Sequence, residues 1–139
     1  MPDRTEDSPP ERPRWRGRRR VLVHDRSMEP FLSEGDRLYV DTRAYKTRRP
    51  ARGDVVVFRD PESSGRLLIK RVAGVAGDVP AGAVTAVPPD HLYVVGDRRS
   101  ESRDSRSFGP VAQTLVLGRV RFRYAPADRR GPLDDRSFK

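Results

Sequence analysis

Two residues of this chain combine a reactive type with a suggestive setting. Ser27 lies in Asp25-Arg26-Ser27-Met28-Glu29-Pro30, and Lys70 lies in Leu67-Leu68-Ile69-Lys70-Arg71-Val72. A serine hydroxyl is a weak nucleophile until a neighbouring base takes its proton. Histidine is the usual base, and lysine replaces it in Ser-Lys enzymes. The run from Leu67 to Val75 is rich in apolar and β-branched residues and reads as a strand. Alternation then puts Lys70 on one face with Leu68 and Val72, and Arg71 on the other with Ile69 and Ala73. A desolvated lysine can lose its proton, whereas arginine effectively cannot. Of the two cations, only Lys70 could serve as a base at neutral pH. Taken alone, this strand is more simply read as carrying a snorkelling lysine at a sheet edge.

The elements that must position these residues are short strands. The length of 139 residues suits one compact domain. Strands are expected at 21–23, 37–40, 54–58, 67–75 and 91–95, with a weak one at 83–87. A last strand spans 114–124, where Val120, Phe122 and Tyr124 alternate with Arg119, Arg121 and Arg123. Between them lie the turn Ser33-Glu34-Gly35-Asp36, a basic loop at 41–52, a Gly- and Pro-bearing loop from Gly74 to Gly82, and a polar loop at 98–110. Sustained helical spacing is missing. The expected fold is all-β, a sandwich or barrel of short strands over residues 21–124. Residues 1–20 are expected as a disordered basic tail, and 125–139 as a flexible polar end.

Composition narrows the function. Without cysteine there are no disulfides and no cysteine-based metal sites. Apolar runs such as Val55-Val56-Val57-Phe58 fall far below the ~20 residues that span a bilayer. No apolar stretch follows the basic opening as a secretory signal would require. The expected location is therefore cytoplasmic, or peripheral at a membrane. The net charge is +9. Trp15 among Arg14, Arg16 and Arg18–Arg20 could touch anionic lipid or nucleic acid, but a solvated basic surface is the simpler reading for most of this charge.

Four stretches together resemble the type I signal peptidase family of Ser-Lys endopeptidases. They are Ser27-Met28-Glu29-Pro30; Arg52-Gly53-Asp54-Val55-Val56-Val57-Phe58; Lys70-Arg71-Val72 with Gly74 and Gly77-Asp78; and Gly96-Asp97 followed by Ser102-Arg103-Asp104-Ser105-Arg106 and Gly109. They occur in the family's order and cover nearly all of the expected ordered region. The resemblance implies Ser27 as nucleophile and Lys70 as general base, with Ser102 hydrogen-bonding and orienting the lysine. It implies Asp104 and Arg106 as an ion pair holding that loop, and Met28 and Pro30 as residues fixing the nucleophile turn. The Ser27 N–H would supply one oxyanion donor. Cleavage after small residues of an extended peptide is implied, with no cofactor and no metal.

This chain departs from the family pattern at three positions. Phe31 stands where Thr is usual, and Arg98 where Asn is usual. Asp25 stands where many members have Ser or Gly. A carboxylate there would repel an oxyanion, so Asp25 is expected to point outward. The family's usual N-terminal anchor is not seen, and its large inserted β-domain does not fit between Lys70 and Gly96. Small anchorless relatives, among them the nickel superoxide dismutase maturation proteases, are similar in these respects and in the strand Val116–Tyr124. A dedicated cytosolic maturation protease is thus an alternative to a signal peptide processor.

Other readings are weaker. A Ser-His-Asp enzyme would have to recruit His24 or His91. A self-cleaving repressor would need a DNA-binding domain longer than residues 1–20. An inactive β-domain binding acidic lipid or nucleic acid would show salt-sensitive attraction, yet specific nucleic-acid binding is not expected, because no aromatic-rich strand set suits base stacking.

Overall fold

The computed structural model describes residues 16–63 and 65–133. Trp15 and the outer parts of both expected tails lie outside the described residues. The chain forms β1 (Arg18–Leu22), β2 (Arg37–Asp41), β3 (Val55–Arg59), β4 (Leu67–Gly74) and β5 (His91–Val95), followed by a one-turn helix α1 (Ser105–Phe108). It continues through β6 (Val111–Ala112), β7 (Val116–Ala125) and β8 (Gly131–Pro132). The strands make one antiparallel sheet in the order β1-β2-β7-β3-β4-β5-β6, with β8 on β7, and almost no helix. The all-β expectation holds.

β3 explains why the sheet has two apolar faces. Its run Val55-Val56-Val57-Phe58 is buried throughout. Period-two alternation sends Val55 and Val57 to a cluster with Val23, Met28, Leu32, Leu38, Val40 and Val120. Val56 and Phe58 go to a second cluster with Leu68, Val72, Leu92, Val94 and Val111. A strand flanked on both sides, here by β7 and β4, needs no polar face, which accounts for the unbroken apolar run.

Several boundaries differ from the sequence reading. β1 begins at Arg18, because Arg18 to Leu22 pair in register with Asp41 to Arg37. Backbone pairing, not side-chain burial, orders these exposed arginines. At the other end, residues 131 and 132 pair with β7, and Arg129 reaches buried Asp36 at 2.5 Å. The weak strand at 83–87 is absent. Val87 instead exchanges backbone bonds with Gly77 and Asp78 at 2.8 and 2.7 Å, closing the loop between β4 and β5.

Much of the arginine content is structural. Buried Asp36 accepts from Arg123 at 3.1 Å as well as from Arg129. Asp54 pairs with Arg48 and Arg119, Asp60 with Arg103, and Asp97 with Arg71 in a two-pronged bond of 2.9 Å on each arm. These pairs cancel in charge, and the positive excess lies on exposed side chains such as Arg37, Arg43, Arg59 and Arg66, as expected. A small sheet with few apolar residues has ended its turns on buried carboxylates, and each is matched by a cation because an unpaired buried charge is costly.

Candidate active site

The turn that carries Ser27 follows β1. Leu32 N–H donates to Met28 O at 2.9 Å and Glu29 N–H to Arg26 O at 3.2 Å, coiling residues 26–32 into a tight turn. Met28 is 1% exposed and anchors this turn in the core, while Pro30 remains exposed on its outer side. Ser27 is thereby held at 1% exposure.

Lys70 arrives from β4, whose burial alternates strictly so that Leu68, Lys70 and Val72 face inward. Lys70 Nζ lies 2.8 Å from Ser27 Oγ and donates to it, joining residues 43 positions apart. Lys70 is 2% exposed and, among the described residues, makes no ion pair. Burial lowers its pKa below the ordinary lysine value, and the charges of Asp25 and Asp104 only partly oppose this. A lysine hydrogen-bonded to a serine and drawn toward neutrality can accept that serine's proton.

The loop after β5 closes the site from the far side. Its Arg98 N–H donates to Ser27 O at 2.8 Å, and the Arg98 side chain holds Glu29 at 2.6 Å. Gly96 is required at this crossing, since a Cβ on it would overlap Ser102 Oγ and lie 2.8 Å from Ser27 O. Replacing Gly96 by Ala is expected to reduce peptidase activity at least about tenfold by pushing the two loops apart, because misplacement of ~1 Å can cost ~100-fold. Steady-state assays beside a thermal melt will separate that loss from unfolding.

Asp104 organises the same loop. It caps α1 by accepting from Arg106 N–H, and also accepts from Gly96 N–H at 2.8 Å, Ser102 Oγ at 2.5 Å and the Arg106 guanidinium at 2.5 and 2.9 Å. Burial would raise its carboxyl, but the hydrogen bonds from Arg106, Ser102 and Gly96 outweigh burial and bring it down to about 2. Its folded pKa lies below the unfolded one, so its contribution is present above pH ~4 and is lost as pH falls toward ~2. That loss should amount to about 2 kcal/mol, and urea titrations of wild type and Asp104→Asn across this window will measure it. Among the described residues Ser102 donates to Asp104 and makes no hydrogen bond to Lys70. Its expected direct contact with the lysine is not seen; the Asp104 carboxylate it bonds acts on Lys70 only as a nearby charge.

Asp25 departs from expectation. Its carboxylate turns inward, and Oδ1 accepts from both Ser27 N–H at 3.0 Å and Ser27 Oγ at 2.9 Å. The physical reason is local: an Asp side chain bonds readily to the N–H two residues on, forming an Asx-turn. That signal was present in the spacing of Asp25 and Ser27. Arg71 is a second residue whose role sequence did not assign. Besides Asp97 it donates to Gly53 O at 2.9 Å and lies 4.8 Å over the Phe31 ring, tying three of the four motif stretches together. Phe31 and Arg98, the two other departures, thus serve as contacts that pack and brace the Ser27 turn. His91 bonds to Pro89 O, and among the described residues neither histidine bonds to Ser27, which leaves a Ser-His-Asp arrangement without support.

A groove of about 480 Å³ reaches Asp25 and Met28, the residues that flank the Ser27 position. One wall is residues 19–25, the other is residues 65–69, and Met28 lies at the site end. Among the described residues, β1 ends the sheet and no strand pairs with the second edge of β4 before Arg71. Among these residues, two strand edges without a ladder partner therefore border the groove.

The chain matches the family described as signal peptidase, peptidase S26, over residues 18–80 and 79–125. It is 40% identical over 118 residues to the mitochondrial ATP-independent inner membrane protease subunit 1b of Arabidopsis thaliana, covering 77% of this chain and 70% of that protein. It is 33% identical over 123 residues to mitochondrial inner membrane protease subunit 1 of Xenopus tropicalis, covering 83% and 74%. It is 32% identical over 144 residues to the probable signal peptidase I-1 of Synechocystis sp., covering 81% and 74%. Among the described residues, no helix is long and apolar enough to cross a membrane. The four sequence stretches, the single antiparallel sheet that joins them and these similarities agree, and the chain belongs to the signal peptidase family of serine-type endopeptidases.

Proposed function

We propose that Ser27 and Lys70 form a Ser-Lys dyad that cleaves a precursor protein after small residues, the precursor lying extended in the groove between β1 and β4. The single observation that carries this reading is the 2.8 Å contact between Lys70 Nζ and Ser27 Oγ with both residues buried. Neutral Lys70 takes the Ser27 proton as Oγ attacks the scissile carbonyl. The tetrahedral intermediate collapses as Lys70 returns the proton to the leaving amine, and water then hydrolyses the acyl-enzyme by the same proton path. An added peptide strand would satisfy the backbone groups of both edges, and the apolar walls Val21, Val23, Leu67 and Ile69 suit small uncharged side chains.

Ser102, Asp104 and Arg106 act in this scheme as positioning residues. The relatives named inner membrane proteases favour a precursor presented at a membrane surface, which the exposed Arg18–Arg20 edge would approach through anionic headgroups. The test is proteolysis of secretory precursors in detergent and of soluble propeptide-bearing precursors, each with a Ser27→Ala control. Ser27-dependent cleavage of the secretory set is the expected result. Cleavage of soluble precursors alone would indicate a dedicated maturation protease, and no Ser27-dependent cleavage would overturn the dyad.

A further inference from the structure

We propose that Asp25 is a displaceable plug: in the free enzyme its carboxylate occupies the Ser27 N–H and holds the Ser27 hydroxyl, and an incoming substrate must turn it aside before attack. This rests on the dyad reading above and adds a residue to which the similarities assign nothing.

The geometry sets the conflict. The N–H that must stabilise the developing oxyanion is already satisfied by Asp25 Oδ1 at 3.0 Å. The same oxygen lies 2.9 Å from Ser27 Oγ, on which Lys70 also converges at 2.8 Å. An ionised carboxylate only accepts hydrogen bonds. While Asp25 holds the hydroxyl, the Ser27 proton points at a carboxylate and not at Lys70. A carboxylate and an oxyanion cannot share one N–H, since like charges at that distance repel. Asp25 is exposed whereas Ser27 and Lys70 are buried, so the plug can swing into solvent without disturbing the core.

Its position makes the plug selective. Asp25 stands at the catalytic end of the groove, whose walls run from it along residues 19–24 and 65–69. A peptide that fills the groove gains enough contact to displace the carboxylate, whereas a small acyl donor does not. Remote binding energy is thus converted into assembly of the oxyanion site, a form of induced-fit discrimination.

The experiment compares wild type with Asp25→Ala, Asp25→Asn and Asp25→Ser, using Ser27→Ala and Lys70→Met as controls. The probes are N-acetyl-alanine p-nitrophenyl ester, which leaves the groove empty, and an extended peptide carrying Ala-x-Ala before the scissile bond. Acylation of Ser27 is read by intact mass and turnover by product release. Asp25→Ala and Asp25→Ser should acylate with the ester at least about fivefold faster than wild type, with a smaller gain on the extended peptide. Asp25→Ser should gain most, because a hydroxyl can donate to the oxyanion. Asp25→Asn should fall between, keeping the acceptor and losing the charge.

The pH profile gives a second readout. The charged groups facing Lys70 are Asp25, Asp104, Arg103 and Arg106, and Asp25 favours the protonated lysine. Removing it should shift the rising limb of activity to lower pH. Slower acylation in Asp25→Ala that Asn restores would overturn the plug in favour of a structural turn. Slower acylation that Asn fails to restore would make the carboxylate an aid to catalysis and also overturn it. Equal rates across all Asp25 variants would remove the plug as well. Acylation that survives Ser27→Ala, or no Ser27-linked acyl mass in any variant, would instead strike the dyad itself.

Discussion

Lys70→Met should lower peptidase activity by at least about a thousandfold while leaving the protein folded, since loss of one member of a nucleophile–base pair removes most of what the pair supplies. Methionine nearly matches the lysine stem in volume and suits a site between Leu68 and Val72 at 2% exposure. Stability should rise, because a buried cation that makes no ion pair among the described residues is replaced by an apolar side chain. The sign of the pH dependence follows from the lowered lysine pKa. The unfolded chain binds the Lys70 proton more tightly than the folded one, so wild-type stability increases with pH from the folded pKa up to the ordinary lysine value. The advantage of Lys70→Met is therefore greatest below the folded lysine pKa and closes as pH approaches the ordinary value. Wild-type kcat/KM should rise over the range in which the buried lysine deprotonates. Urea unfolding and rate profiles from pH 6 to 10 test both statements, and a flat rate profile would exclude a lysine base.

Ser27→Ala should abolish acyl-enzyme formation, with cleavage falling at least about a thousandfold and no further loss in the Ser27→Ala, Lys70→Met double variant. Two residues that act as one unit are strongly non-additive, whereas two independent contributors would multiply their losses. The substitution removes one hydroxyl and leaves Asp25 exposed and the Met28 anchor intact, so the melting temperature should change little. Intact-mass analysis after exposure to a precursor peptide shows directly whether an acyl group is carried. Persistent acylation of the Ala variant would reassign the nucleophile.

A good part of this site was legible in the sequence because its determinants are local. The alternation of apolar residues around Lys70 foretold its inward orientation, and the arginine beside it was correctly set on the opposite face. The four motif stretches pointed to one family, and the structure joins them through Arg71, which bonds Asp97 and Gly53, and through the Lys70–Ser27 contact. The failures were also local in origin. The outward expectation for Asp25 rests on the harm a carboxylate does to an oxyanion, but the free enzyme carries no oxyanion and its Ser27 N–H attracts the carboxylate. The strand at 83–87 was read from apolar residues that only close a loop. The segment Arg18–Arg20 looked like tail because no residue in it can be buried, yet β2 supplies a pairing edge.

What the sequence determined by itself was the all-β character, the family and the residues able to do chemistry, since these follow from period-two patterning and from short contiguous stretches. Only the tertiary structure decided which groups meet: that Lys70 Nζ reaches Ser27 Oγ across 43 positions, that Ser102 donates its hydrogen bond to Asp104 and not to the lysine, and that Arg71, Arg103 and Arg123 pair with buried carboxylates. The physical reason is range. Alternation and turn chemistry act over a few residues, whereas a hydrogen bond is set within tenths of an ångström by the register and curvature of a whole sheet.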